Sequence, residues 1–250
     1  MGCTSSTASN PSAAQDGVPK DVVTSGTRNF TFKVESKEDG MAYFSEKGRD
    51  SKYAIVLIQE WWGLNKSICD TADVFANQGF AVLAVDIYRG KTADSKETAG
   101  HLFSGLDFPG AVADILAAAK ALKEKGYEKV AITGFCMGGA LTIAAIATGP
   151  DVFTAAAPFY GVPDLSKFSV ADVKTPVLAH FGTTDEAKGF SDPESAKRLE
   201  DAFKAGGHGN FTLRMWEAGH AFMNQSRPDT YDPEIAKKAL AETVAFFKKY

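Results

Sequence analysis

One thiol in this chain is set where sequence alone can make it a nucleophile. In Gly134-Phe135-Cys136-Met137-Gly138-Gly139, glycines flank a cysteine on both sides. Val130-Ala131-Ile132-Thr133 precedes the hexapeptide and reads as a buried strand; Ala140-Leu141-Thr142-Ile143-Ala144-Ala145 follows it and reads as a helix. The cysteine is therefore predicted on a sharp strand-to-helix turn. Such a turn is strained, and side chains beside the nucleophile would collide with strand and helix, which is what glycine avoids. A thiol needs a base, or surroundings that favour the thiolate. The commonest base is a histidine held by a carboxylate. Asp185 and His220 supply this pair in the order nucleophile, acid, histidine, and each follows an apolar run.

Acyl transfer also needs two backbone N–H groups aimed at the developing oxyanion. Met137, next after the thiol, is one expected donor, and Trp61 in Gln59-Glu60-Trp61-Trp62-Gly63-Leu64-Asn65 is the other. Glu60 brings a carboxylate to the same place, where it can accept the thiol proton or keep the thiol neutral by charge repulsion. Trp61, Trp62, Tyr88, Phe135 and Tyr160 suit either pocket walls or core. Plainer readings stand beside these. Free cysteine is commonly a small buried hydrophobe. Asp185 suits an Asx turn, and Asp164, Asp172 and Asp192 are rival acids. His180, inside an apolar run, reads as a core histidine; His101 and His208 read as solvated. No histidine is spaced for a metal, and this chemistry needs neither metal nor cofactor.

The elements that must hold these groups alternate along the chain. Phe30–Val34 alternates apolar and polar residues, and Met41–Phe44 follows an Asp-Gly turn, so the two read as a hairpin. Apolar strands are predicted over Tyr53–Gln59, Phe80–Asp86, Val130–Thr133, Phe153–Phe159, Pro176–Phe181 and Asn210–Trp216. Helices are predicted over Ser67–Gln78, Phe108–Lys125 with Asp107 as N-cap, Pro193–Ala205 and from Pro233 onward. Lys91–Ser104 reads as irregular, with room for a short helix. Apolar strands alternating with helices imply a mostly parallel twisted sheet, of about eight strands, with helices on both faces and the site at the carboxyl ends of the strands; the Gly-x-Cys-x-Gly turn between strand and helix matches a nucleophile elbow, for which an α/β-hydrolase fold is expected.

Composition sets the outer bounds. The chain has 250 residues, a net charge of −4 and 44% hydrophobic residues. This is ordinary globular composition, without the basic footprint of a nucleic-acid binder. Residues 1 to about 27 are small, polar and aperiodic and read as a disordered tail, leaving one domain over 28–250. Three cysteines without a C-x-x-C pair argue against a disulfide framework and for a reducing, cytoplasmic setting. Met1-Gly2-Cys3-Thr4-Ser5-Ser6 fits a myristoylation pattern at Gly2, with Cys3 beside it for a second acyl chain, which would anchor the chain to a membrane.

Four motifs in one order, Gln59-Glu60-Trp61-Trp62-Gly63, Asp86-Ile87-Tyr88-Arg89-Gly90, Gly134-Phe135-Cys136-Met137-Gly138-Gly139 and Gly219-His220-Ala221-Phe222, resemble the dienelactone hydrolase (carboxymethylenebutenolidase) family from about residue 28 onward. The resemblance implies a Cys136–His220–Asp185 triad, a Glu60 that contacts the resting thiol and is displaced by substrate, and an acyl-enzyme formed on a lactone or ester. It also implies a substrate carboxylate held by two arginines. Arg89 lies one residue from the first of these positions, and Asn224 occupies the second, with Arg227 nearby. Tyr88, Trp62, Arg89 and Asn224 are thus the expected substrate contacts. The rival to a small-molecule hydrolase is a non-catalytic ligand binder, or a thiol redox-regulated protein, on the same fold.

Overall fold

The structure is a computed structural model that describes residues 22–24, 28–35, 37–47, 52–207 and 209–250. The acylation pattern at Gly2 and Cys3, and also His208, lie outside the described residues. The elements run in the order β1 (Val22–Thr24), β2 (Phe30–Phe32), β3 (Gly40–Glu46), β4 (Tyr53–Ile58), α1 (Lys66–Ala76), β5 (Ala81–Val85), β6 (Lys91–Ala93), α2 (Lys96–Ser104), α3 (Phe108–Glu124), β7 (Lys129–Phe135), α4 (Met137–Thr148), β8 (Ala156–Phe159), β9 (Val177–Gly182), α5 (Pro193–Ala205), β10 (Phe211–Trp216) and α6 (Pro233–Lys249).

An eight-stranded sheet has the order β10-β9-β8-β7-β4-β5-β3-β2. From β5 to β10 the neighbours are parallel; β3 is antiparallel to β5, and β2 to β3. The predicted hairpin is thus the antiparallel edge of a parallel sheet. Register levels the strand ends that matter. Ile58 of β4 pairs with Gly134 of β7, and Phe135 pairs with Phe159 of β8, so the Glu60 loop, the Cys136 turn and Tyr160 emerge side by side. Trp216 of β10 pairs with Gly182 of β9, which sets the Asp185 and His220 loops next to each other.

Period-two alternation divides the core. Val56 and Ile58 of β4 pack on one face of the sheet with Ile115 and Leu122 of α3, Leu141 of α4 and Leu199 of α5. Ile55 and Leu57 pack on the other face with Phe75 of α1 and Val244 and Phe247 of α6. Each apolar side chain fully buried in this way contributes about 1.5–3 kcal/mol relative to exposure. The helix starts follow their caps: the Asp107 carboxylate accepts from Gly110 N, and that of Asp232 from Glu234 N and Ile235 N. Among the described residues no single helix is long and apolar enough to cross a membrane.

Two segments differ from the sequence expectation. Val22–Thr24, inside the stretch read as a tail, forms β1 antiparallel to β6, with Val23 opposite Thr92. Three consecutive β-branched residues favour pairing once an edge is offered. Lys91–Ser104, read as irregular with room for a short helix, supplies that edge as β6 and then forms the short helix as α2, which Ser95 caps by accepting from Thr98 N. Its helical signal is weak because Thr98 and Ala99 are its buried residues, with no large apolar stripe.

Candidate active site

Cys136 sits between β7 and α4 at φ 56°, ψ −116°, a conformation that costs a non-glycine residue on the order of 1–3 kcal/mol. The surrounding structure enforces it. Cys136 N donates to Phe159 O at 3.1 Å, and Cys136 O accepts from Gly139 N at 2.9 Å and Ala140 N at 3.2 Å. The glycine at 138 is demanded by close approach rather than by φ: a Cβ there would lie 2.5 Å from the Ile58 carbonyl oxygen and 2.6 Å from that of Gln59. The elbow is thereby pressed against the end of β4, where Glu60 and Trp61 begin. Met137 is the first residue of α4, so its N–H has no intrahelical acceptor.

Asp185 and His220 meet as the order of the motifs predicts. His220 Nδ1 is 2.8 Å from Asp185 Oδ2. The Asx-turn reading holds as well: Asp185 Oδ1 accepts from Ala187 N at 2.9 Å while Oδ2 faces His220. Burial disfavours the Asp185 anion, but the bonds from His220, Ala187 and Ser191 outweigh it and hold its carboxyl below the usual range. Burial likewise opposes a charged His220, yet its hydrogen bonds to Asp185 and to Cys136 prevail and raise it to about 10. With Nδ1 committed to Asp185, the interaction with Cys136 falls to Nε2. Ser191, which no sequence motif marks, is fully buried with Oγ 3.0 Å from His220 Nδ1. The rival acids are occupied elsewhere: Asp164 with Ser166, and Asp192 with Gly189 N and Ser195. Asp172 is exposed. His101 is exposed as expected.

Glu60 lines the same pocket as Cys136 and His220. Its hydrogen bonds run to Asn224 Nδ2 on Oε2 and to Tyr160 OH on Oε1, the latter at 3.4 Å. Burial pushes its carboxyl above the usual range against the opposing pull of His220, Asn224, Tyr160 and Arg227. Tyr160 is itself raised by burial and by the Glu60 and Cys136 charges, so its phenol stays neutral and donates. The Glu60 carboxyl is thus held from behind by Asn224 and Tyr160, while hydrogen bonding to Cys136 is among the causes that raise His220.

The pocket has a volume of about 450 Å³ and is walled by Trp61, Trp62, Phe190 and Ala221. Three expected substrate contacts are corrected. Asp86 ties down the N–H groups of Tyr88 at 3.1 Å and Gly90 at 2.5 Å, and this tight turn throws Arg89, at φ 52°, to the far side. There its guanidinium bonds Asp114 Oδ2 at 2.7 Å and Asp39 O at 2.6 Å. Tyr88 is buried beneath the elbow, its phenol on Met137 Sδ at 3.1 Å. Asn224 is buried, with its amide N–H on Glu60 and its oxygen accepting from Ser226 N at 3.0 Å. The pocket's cations are instead Arg227 and Lys96. Arg227 lies over the Trp62 ring, 4.8 Å from its centroid, with Nε 3.6 Å from Asp229.

The strand order, the antiparallel edge and the strained strand–thiol–helix turn define an α/β-hydrolase. A dienelactone hydrolase-like promiscuous phosphotriesterase from metagenomic libraries shares the fold, with a TM-score of 0.75 and 20% identity over 92% of this chain and 98% of that one. The dienelactone hydrolase family profile matches residues 39–250, and the chain belongs to that family. "Protein usf" of Aquifex pyrophilus is 36% identical over 210 residues, covering 78% of this chain and 87% of that protein. A carboxymethylenebutenolidase of Pseudomonas putida is 32% identical over 189 residues, covering 69% of this chain and 75% of that one.

Proposed function

We propose that this chain hydrolyses small esters or lactones through a thioester on Cys136. The observation that carries the reading is the His220–Asp185 bond of 2.8 Å beside a thiol held on a strained turn. The Cys136 sulfur attacks the carbonyl carbon, and the oxyanion that forms is met by the N–H groups of Met137 and Trp61. Collapse breaks the acyl C–O bond; the leaving oxygen takes the proton from His220 Nε2 and a thioester remains. Acylation removes the thiolate that helped to raise His220, so the imidazole then accepts a proton from water. Water adds to the thioester carbon, the C–S bond breaks, and the carboxylate product leaves.

Arg227 and Lys96 at the pocket mouth favour substrates with an anionic group, and the absence of a second arginine at position 224 broadens the choice beyond dienelactone. Glu60 competes with the thiolate for the His220 charge, which makes it the group that tunes the resting thiol. The decisive experiment follows p-nitrophenyl acetate and a lactone panel with wild type, Cys136→Ala and Asp185→Asn, and seeks acyl-Cys136 by mass spectrometry. Activity is expected to vanish in Cys136→Ala and to fall by about 10⁴-fold in Asp185→Asn, where the wrong imidazole tautomer is held. Hydrolysis that persists in Cys136→Ala would overturn the proposal and favour a binding or redox role for the thiol.

A further inference from the structure

Beside the Cys136 pocket lies a second hollow, of about 540 Å³, and the two share Phe190 as a wall. Phe103 of α2, Phe108 of α3, Phe168 and Val162 form its apolar sides. Ala140, on the first turn of α4 after Cys136, forms its inner end. Its two charged wall residues, Asp164 and Lys167, pair with each other at 3.6 Å. The volume falls in the range of ligand sites, about 300–1,000 Å³, and the lining is the apolar kind such sites use. Phe103 is 40% exposed and, with Met215, is one of two exposed large hydrophobic residues among the described residues. A wetted phenylalanine on the wall of an apolar hollow is a surface that gains by being covered.

Phe190 is built as a partition. Its carbonyl accepts from Val162 N at 2.9 Å, which fixes its backbone to the groove wall. Its ring lies 6.3 Å from the His220 ring, at the edge of the reacting centre. Gly189 before it stands at φ 79° with open space around it. The backbone is anchored, so rotation of the Phe190 side chain is what would join the two hollows.

We propose that the groove receives the aliphatic arm of an ester whose carbonyl is held at Cys136, and that Phe190 sets how long an arm is accepted. This rests on the hydrolase reading above and extends it to medium-chain esters. Each methylene moved from water into the groove multiplies kcat/KM by about four-fold until the groove is filled.

The test compares p-nitrophenyl acetate, butanoate and octanoate, and in parallel the alkyl acetates, on wild type, Phe103→Asp, Phe190→Ala and Cys136→Ala. The octanoyl-to-acetyl ratio, or its alcohol-side counterpart, is expected to fall at least about ten-fold in Phe103→Asp and to rise in Phe190→Ala. Phe103 is on the surface, so its replacement leaves the core intact. Identical chain-length profiles in wild type, Phe103→Asp and Phe190→Ala would overturn the groove while leaving Cys136 hydrolysis standing. Activity that survives Cys136→Ala removes the parent reading instead. In that case, calorimetry of octanoate against acetate on the Cys136→Ala protein decides the groove: tighter octanoate binding, weakened in the Phe103→Asp double variant, supports it, and equal binding overturns it.

Discussion

Acid should weaken this protein through one buried histidine that has no part in the chemistry. His180 of β9 is fully buried, its ring stacked 4.3 Å from Phe159 and 6.0 Å from Trp216. Trp216 Nε1 donates to His180 Nδ1 at 3.1 Å, so Nδ1 carries no proton. The proton is on Nε2 and is donated to Thr243 Oγ1 at 3.1 Å, which donates onward to Ala239 O at 2.8 Å. A second proton has nowhere to point. Burial, helped by the Arg214 charge, lowers the ring to about 3 from its ordinary 6.5. The unfolded chain therefore takes up a proton that the folded one refuses. Stability from this residue is fully present above about pH 6.5 and is lost as pH falls towards 3, at about 1.4 kcal/mol per pH unit. Across the whole gap this amounts to about 5 kcal/mol, and between pH 7 and pH 5 to about 2 kcal/mol. Urea unfolding at pH 7, 6 and 5 of wild type and His180→Gln isolates the term, since carboxylate contributions cancel between them. Glutamine keeps one donor and one acceptor and does not titrate. Parallel pH dependence in the two proteins, within a few tenths of a kcal/mol, would refute the neutral buried imidazole.

Gly138→Ala reverses the usual helix preference: alanine would favour a free helix by about 1 kcal/mol, but the collision with two β4 carbonyls should lower stability by about 3 kcal/mol, read by denaturant midpoint. A stability gain would show that the elbow is not pressed on β4. Arg227→Ala should raise KM for carboxylate-bearing lactones by about ten-fold, the worth of a charge-assisted hydrogen bond, with a smaller change for neutral esters. Equal changes for both would place the substrate anion elsewhere. Glu60→Gln should quicken iodoacetamide alkylation of Cys136 at the pH values where Glu60 is ionised, measured on the Cys136 peptide by mass spectrometry, because the carboxylate that shares the His220 charge is replaced by a neutral amide. Superimposable profiles over pH 6 to 9 count against any tuning role for Glu60.

Sequence reasoning reached the backbone of the site because the signals there are local. Glycines at 134, 138 and 139 are dictated by how closely β7, α4 and the ends of β4 and β8 approach, and the strand ends follow from apolar runs bounded by turn residues. The meeting of Asp185 with His220 follows from two loops leaving neighbouring parallel strands. Contacts set by side-chain direction across turns were not legible. Ser191 reaches His220 only because the 185–191 loop folds back, and nothing in its neighbours announces this. Arg89 reads as a pocket cation until the Asp86 carboxylate is seen to bind the N–H groups of residues 88 and 90 and rotate the intervening side chain away.

The exchange at positions 224 and 227 has the same physical root. The chain after His220 turns repeatedly: Ala221 stands at φ 62°, Asn224 N donates to Ala221 O at 2.9 Å, and Arg227 N donates to Asn224 O at 3.0 Å. These turns point position 224 inward at Glu60 and position 227 outward over Trp62. An arginine at 224, turned inward in the same way, would pair its guanidinium with the Glu60 carboxylate and hold it ionised. Asparagine gives Glu60 a neutral donor, so burial keeps the carboxyl above its usual range and leaves it free to change its charge. The guanidinium three residues on then faces the pocket, supported by an aromatic face rather than matched to a buried acid. A pocket-facing guanidinium and a carboxyl with a neutral partner are thereby separated in one loop.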